Sequence, residues 1–336
     1  WLLQSPMTKT PNCALASTTD GVWPFTEERK KGSCLYSFFL PFSRSPVKGQ
    51  DRNWGGGVLG AAQLTLQEPW ATNMATRSAS RGILRPPMRL ANRIEHLGTE
   101  KAFAVSQAAR EWAARGNRVY PLHLGDINLP TPANIVAAQQ RAIAEGKTGY
   151  CAPAGIPELR AALAEDVGAR RGLQYQPENV AVQPGGKPVI TKFIQALINP
   201  GDEVLYPAPG FPIYESQIDY FGAVAKPYRF VETPRGFAID LDFLSAQITP
   251  RTRALIFNNQ QNPLAAEATD AELERLAELA IRHDLWVLAD EAYFETRYSG
   301  ESRSIVSLPG MQPRSVILYT FSKKFAMTGW RLGAAI

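Results

Sequence analysis

From residue 179 onward the chain repeats one pattern: a short run of apolar residues, a turn, then a stretch with helical spacing. The runs are "NVAVQ" (179–183), "EVLYP" (203–207), "RALIFN" (253–258), "LWVLAD" (285–290) and "SVILYT" (315–320), with further strand character near 224–231. Between them lie "KPVITKFIQALI", "IYESQIDYFG" and "TDAELERLAELAIRHD". A strand exposed on one face alternates polar and apolar residues, so strands apolar throughout must be covered on both faces. Connections long enough to hold a helix allow neighbouring strands to run parallel. The pattern predicts an α/β domain in which a mostly parallel sheet is sandwiched by helices. No internal repeat accompanies it.

Upstream, Thr131-Pro132 marks the start of a helix over "ANIVAAQQRAIAEG", and Pro157 opens another over "ELRAALAEDVGARRG". Proline just inside a helix and glycine just past it is the asymmetry that helix ends favour. "NRIEHLGTEKAFAVSQAAREWAARG" reads as one helix closing at Gly116, followed by a short strand in "RVYPLHL".

The first 87 residues differ. They show no sustained period, hold four of the seven tryptophans, and carry ten basic against five acidic residues, while residues 88–336 balance at 26 against 26. The net charge of +5 therefore belongs to this stretch and implies no basic face, hence no nucleic-acid partner, for the folded part. The chain begins at Trp1, whereas Met74 and Met88 each precede more ordered-looking sequence, so residues 1–87 read as an unstructured or non-native leader. The Arg- and Ser-rich, acid-free "MATRSASRGILRPP" (74–87) offers a transit peptide as the alternative. Residues 88–130 read as an N-terminal arm, and 131–336 as the main domain.

Cys13, Cys34 and Cys151 have neither metal-ligand spacing nor the count of a disulfide framework, which points to a reducing, cytoplasmic compartment and no metal. No apolar run approaches the ~18 residues of a membrane span.

In parallel sheets, ligands bind beyond the carboxyl ends of strands. After "NVAVQ" comes "PGGK" (184–187), whose backbone N–H groups at a helix start suit a phosphate but equally form an ordinary strand–helix turn. After "LWVLAD" comes Asp290 in "DEAYFETRY", a carboxylate ending a buried strand, which needs a cationic partner or a capping role. After "SVILYT" come Ser322, Lys323, Lys324 and Arg331, which could equally form a solvated basic turn.

Taken together, these places resemble the pyridoxal-phosphate aminotransferases of the aspartate aminotransferase fold, from about residue 89 to 336. "GKTGYCAPAGIPELRAALA" (146–164) is similar to the family's Tyr-x-x-x-x-Gly-x-x-x-Leu-Arg segment, "QPGGK" to its phosphate turn, and "PAPGFPIY" (207–214) to its cofactor-stacking loop. "DEAY" (290–293) is similar to its pyridine-binding motif and "FSKKFAMTGWRLG" (321–333) to its lysine motif. The resemblance implies a seven-stranded sheet, pyridoxal 5'-phosphate as cofactor, and amino transfer between an amino acid and a 2-oxo acid.

It also implies roles. The family's Schiff-base lysine comes directly after the serine, which selects Lys323 over Lys324; the same amine would move the substrate Cα proton and needs a lowered pKa to do so. Asp290 would pair with the protonated pyridine nitrogen, Tyr293 and Asn262 would hydrogen-bond the ring oxygen, and Phe211 would stack on the ring. Gly185, Gly186 and Lys187, with Thr320, Ser322 and Arg331, would bind the phosphate. Tyr150 matches a tyrosine that reaches the neighbouring subunit's phosphate, which implies a homodimer with shared sites. Gly125 matches a glycine beside the substrate carboxylate.

Two departures stand out. The family's Asn-Pro-Thr-Gly is Asn262-Pro263-Leu264-Ala265 here. The family's final portion, which completes the small domain and supplies an arginine for the substrate carboxylate, is absent, so the chain reads as a fragment with 88–130 as part of that domain. A lyase or synthase of the same fold, or a noncatalytic cofactor-binding remnant, shares the motifs. A DNA-binding regulator fused to this fold would need a helix-turn-helix, and the first 87 residues show none.

Overall fold

The computed structural model describes residues 89–98, 101–122, 125–234 and 236–336. The expected leader lies outside them. In chain order the elements are α1 (Lys101–Ala114), α2 (Ala133–Ala144), α3 (Pro157–Ala169), β1 (Ala181–Gln183), α4 (Lys187–Leu197), β2 (Glu203–Pro207), α5 (Ile213–Tyr220) and β3 (Val224–Tyr228). Next come β4 (Phe230–Thr233), β5 (Gly236–Ile239), α6 (Leu241–Ala246), β6 (Thr252–Asn258), α7 (Asp270–Arg282), β7 (Trp286–Asp290), β8 (Ser315–Thr320), α8 (Phe321–Lys324) and β9 (Gly333–Ala335).

Seven strands form one sheet in the order β1-β9-β8-β7-β6-β2-β3, and β4 and β5 form a separate antiparallel pair. All neighbours in the large sheet are parallel except β9, which runs against both β8 and β1. The mostly parallel, two-sided sheet predicted from the apolar runs is the observed architecture. Strand β6 shows why those runs are apolar throughout. Ala254 and Ile256 enter a core with Ile190 and Ile194 of α4 and Tyr214 and Ile218 of α5. Leu255 and Phe257 enter the opposite core with Val167 of α3 and Leu273 and Leu276 of α7. Each such buried side chain stabilises by ~1.5–3 kcal/mol, so these two layers, rather than the polar turns, hold the sheet.

Local signals set the helix ends. Thr269 and Glu272 form a capping box at α7, and Pro157 sits in the first turn of α3. At α2, however, Pro132 is the flanking residue, and the Thr131 hydroxyl donates to the Ala326 carbonyl (2.7 Å) instead of capping the helix. The reading of 92–116 as one helix is also corrected. A short 3-10 turn, Asn92–His96, ends in extended backbone at Leu97, and α1 begins only at Lys101. The Gly98 carbonyl accepts a hydrogen bond from Ser216 of α5, a tertiary contact that helical periodicity cannot announce. Residues 118–122 are not a strand: among the described residues they have no ladder partner, and Tyr120 and Leu122 are exposed. The strand character near 224–231 divides between β3 in the large sheet and β4 in the small one.

The sheet collects six carboxyl ends, those of β1, β2, β3, β6, β7 and β8, along one edge. β9 was not legible in the sequence, yet it brings one more contributor there. Its antiparallel course sets Gly333 opposite both Thr320 and Gln183, which carries Arg331 to the same edge. Only glycine fits at 333, because a Cβ would lie 2.7 Å from the Gly185 carbonyl carbon and 2.8 Å from the Tyr319 oxygen.

Candidate active site

A cavity of about 370 Å³ opens at this edge. Thr320 ends β8 and accepts the Ser322 N–H (3.2 Å), which starts the single turn α8. Successive side chains on a helical turn point ~100° apart, so adjacent lysines meet different surroundings. Lys323 lines the cavity; its Nζ donates to the Gly125 carbonyl (2.9 Å) and lies 5.8 Å from the centre of the Tyr293 ring. Burial holds its pKa below the usual lysine value, and the Asp126 carboxylate partly opposes that. Lys324 instead ion-pairs with Asp166 (3.1 Å) and Glu295 (2.8 Å), with its side chain 14% exposed. It is a structural lysine and not a solvated one.

Asp290 sits at the end of β7, 5% exposed, on the cavity wall. Tyr214 donates to its Oδ2 (2.6 Å) and the Ala292 N–H to its Oδ1 (3.2 Å). Among the described residues no cation pairs with it, contrary to what a buried carboxylate ordinarily requires, and burial pushes its pKa up to about 6 despite those two donors. Glu291, next in sequence, turns to the other face and pairs with the buried Arg171. Asn258, ending β6, fixes two things at once: its Nδ2 donates to the Asp290 carbonyl (2.9 Å), and its Oδ1 accepts the Asn262 N–H (2.9 Å). Asn262 lines the cavity although Thr-Gly is replaced by Leu264-Ala265, because Ala265 itself takes the left-handed φ of 54°.

At β1 the chain turns through Gly185 and Gly186 into α4. Gly185 is not among the residues lining the cavity, and its N–H donates to the Gln183 carbonyl (2.8 Å). What it supplies is room: at its φ of 97° a Cβ would fall 2.1 Å from an Arg331 guanidinium nitrogen. Arg331 is itself left-handed (φ 54°), and Nη1 donates to the Thr328 carbonyl (2.8 Å) and lies 3.5 Å from Ser322 Oγ. Gly186, Lys187, Thr320, Ser322 and Arg331 all reach the cavity, at the start of an eleven-residue helix whose dipole favours an anion.

Gly125, Phe211 and Tyr293 complete the predicted set within the cavity, and Phe211 meets Tyr214 edge to face (5.7 Å). Tyr150 is not brought in; it is fully exposed on this chain. Four residues carried no expectation from the sequence: Tyr214, Asn258, Thr328 and Asp126. Asn258 ends an apolar run as Asp290 does, so the strand-end rule could have found it. Tyr214 closes the quoted segment 207–214, but its role had no signal, because it looks like any core tyrosine until its hydroxyl partner is known.

The donor set matches pyridoxal phosphate. A buried carboxylate with no cation among the described residues suits a protonated ring nitrogen, an arginine beside a helix start suits a phosphate, and an amine of lowered pKa lines the same cavity.

Comparisons with known proteins agree. A model of the aminotransferase class I and II family matches residues 118–336. The aspartate/prephenate aminotransferase of Thermus thermophilus is 38% identical over 250 residues, covering 73% of this chain and 63% of that protein. The arginine–pyruvate transaminase of Pseudomonas aeruginosa is 39% identical over 219 residues, covering 65% and 56%. A solved structure of Thermus thermophilus aspartate aminotransferase with maleate superposes with a TM-score of 0.70 at 37% identity, over 74% of this chain and 64% of that one. The chain thus spans less than two thirds of the length of these relatives. With the family model covering most of the chain and the fold in agreement, the chain belongs to the class I and II aminotransferases.

Proposed function

We propose that this chain is the cofactor-binding portion of a pyridoxal-phosphate-dependent transaminase that moves an amino group between an amino acid and a 2-oxo acid. The observation that carries the reading is the pairing, in one cavity, of a cation-less buried Asp290 with a Lys323 amine of lowered pKa. Bound there, pyridoxal phosphate supplies an electrophilic carbonyl carbon and an electron-withdrawing ring.

The chain's own residues do the rest. Asp290 would hold a proton on the ring nitrogen, its carboxylate kept aimed by the Tyr214 hydroxyl and the Ala292 N–H. Arg331, Ser322, Thr320 and the N–H groups of Gly186 and Lys187 hold the phosphate. Phe211 would pack on the ring face, while Asn262 and Tyr293 would donate to the ring oxygen. Lys323, whose amine burial holds below the usual lysine value, would bond to that carbonyl carbon and later carry the proton at substrate Cα. Gly125 leaves space for the substrate carboxylate. The exposure of Tyr150 supports a role across a homodimer interface. Residues 88–130 serve as arm and part of a small domain, and 131–336 as the cofactor domain. Among the described residues no helix is long and apolar enough to cross a membrane, and a cytoplasmic enzyme fits that.

The test is to add pyridoxal phosphate to the purified protein, reduce with borohydride and map the peptides. A visible absorption band that reduction abolishes, with the pyridoxyl mark on Lys323, is expected. No band in a folded protein, or a mark on Lys324 or Lys187, overturns the reading.

A further inference from the structure

Residues 125–131 form no helix or strand, yet three side chains tie them to the turn around Lys323. Thr328 Oγ1 donates to Asp126 Oδ1 (2.8 Å), Thr131 Oγ1 donates to the Ala326 carbonyl (2.7 Å), and Lys323 Nζ donates to the Gly125 carbonyl (2.9 Å). The partners lie 202, 195 and 198 residues apart, so nothing in local chain geometry produces the contacts. The Asp126 Oδ1 also accepts the Ile127 N–H (2.9 Å), which bends the carboxylate back over its own backbone.

We propose that Asp126, clasped by Thr328, is a positioning residue that fixes the Gly125 carbonyl against Lys323 and so aims the amine into the cavity. The Gly125 carbonyl gives one N–H of Lys323 a fixed acceptor at the cavity wall. Without the clasp the carbonyl is free to swing and the amine loses its fixed acceptor. The clasp also has a charge. The Thr328 hydroxyl and then the Ile127 N–H hold the Asp126 carboxyl below the usual range, so it is an anion whenever Lys323 titrates. The other ionisable groups facing Lys323 are Tyr293 and, around the cavity, Asp290, Lys187 and Arg331. The Asp126 carboxylate favours the protonated form of Lys323 against burial.

The proposal rests on Lys323 being the reactive amine, and its test does not need the cofactor. Trace acetic anhydride labelling of the purified cofactor-free protein across a pH series, read by mass spectrometry at Lys323 and Lys324 separately, gives the titration of each amine. Asp126→Asn is expected to move the Lys323 midpoint down, because an opposing anion is lost. Thr328→Val should move it the same way by releasing the carboxylate, and Thr328→Ser, which keeps the hydroxyl, should retain the wild-type midpoint. Lys324, engaged with Asp166 and Glu295, should not move and reports that the fold is intact. A Lys323 midpoint that stays or rises in Asp126→Asn overturns the proposal; should that variant not fold, an unmoved midpoint in Thr328→Val does so. Absence of a visible band when pyridoxal phosphate is added to the wild type would defeat the transaminase reading while leaving the labelling result to stand on its own.

Discussion

Two adjacent lysines with opposite surroundings make the sharpest contrast at the scale of single residues. Lys323 faces the cavity and Lys324 faces two carboxylates, so their replacements should fail differently. Lys323→Ala is expected to abolish the borohydride-fixed pyridoxyl mark, with little change in stability. Among the described residues, Lys324→Ala leaves Asp166 and Glu295 with Arg170 as their remaining cation, at 2.9 and 3.5 Å. The result should be a loss of about 1–3 kcal/mol in urea unfolding with cofactor still bound, below the cost of breaking a fully buried pair. Asp290 gives a prediction of opposite sign. Its pKa, raised from an ordinary 3.8 to about 6, means the folded state favours the neutral acid. That contribution is fully present below about pH 4 and is lost as pH rises through about 6. In cofactor-free protein, Asp290→Asn should therefore stabilise by about 1–2 kcal/mol at pH 7 and by little at pH 4, while cofactor affinity collapses. Thermal unfolding at the two pH values, with and without cofactor, checks both halves.

At the scale of elements, the turn from Gln261 to Ala265 has Leu264-Ala265 in place of Thr-Gly and still sets Asn262 in the cavity wall. The Gln261 N–H donates to Ala266, the Ala265 N–H to Gln261, and the Gln261 side chain donates to the Pro209 carbonyl (2.6 Å), tying the turn to the loop that carries Phe211. Those bonds hold Ala265 at φ 54°, a region that costs an L-residue about 1–2 kcal/mol. Ala265→Gly should relieve that strain and stabilise by about 0.5–1 kcal/mol net of the extra freedom glycine has when unfolded. A denaturant midpoint that rises with an unchanged slope is the expected outcome; a fall would mean the turn is not strained.

For the molecule as a whole, the cavity is the place where the core's order is incomplete. Asp290 has no cation among the described residues and Arg331 is held in a left-handed backbone, features that a ligand spanning them would compensate. Cofactor binding to the folded state alone stabilises by ~2.7 kcal/mol at a concentration about a hundred times Kd. Pyridoxal phosphate should thus raise the unfolding temperature in a concentration-dependent way, and Arg331→Ala should shift that dependence to higher concentration. A thermal midpoint indifferent to the cofactor would contradict the assignment of the cavity.

Sequence by itself determined the sheet and its two-sided burial, because apolar runs at strand spacing, separated by helical stretches, have few ways to bury both faces. It also placed Asp290, Lys323 and the glycine turn at strand ends, since chain order fixes which residues come directly after each strand. Only the tertiary structure decided which lysine faces the cavity, because the direction of a side chain on a single turn depends on what packs around it. It alone revealed β9, three small residues with no periodicity, whose antiparallel insertion carries Arg331 against Gly185. The Tyr214–Asp290 and Thr328–Asp126 bonds were equally invisible, for they join positions 76 and 202 residues apart that only the closed fold brings within reach.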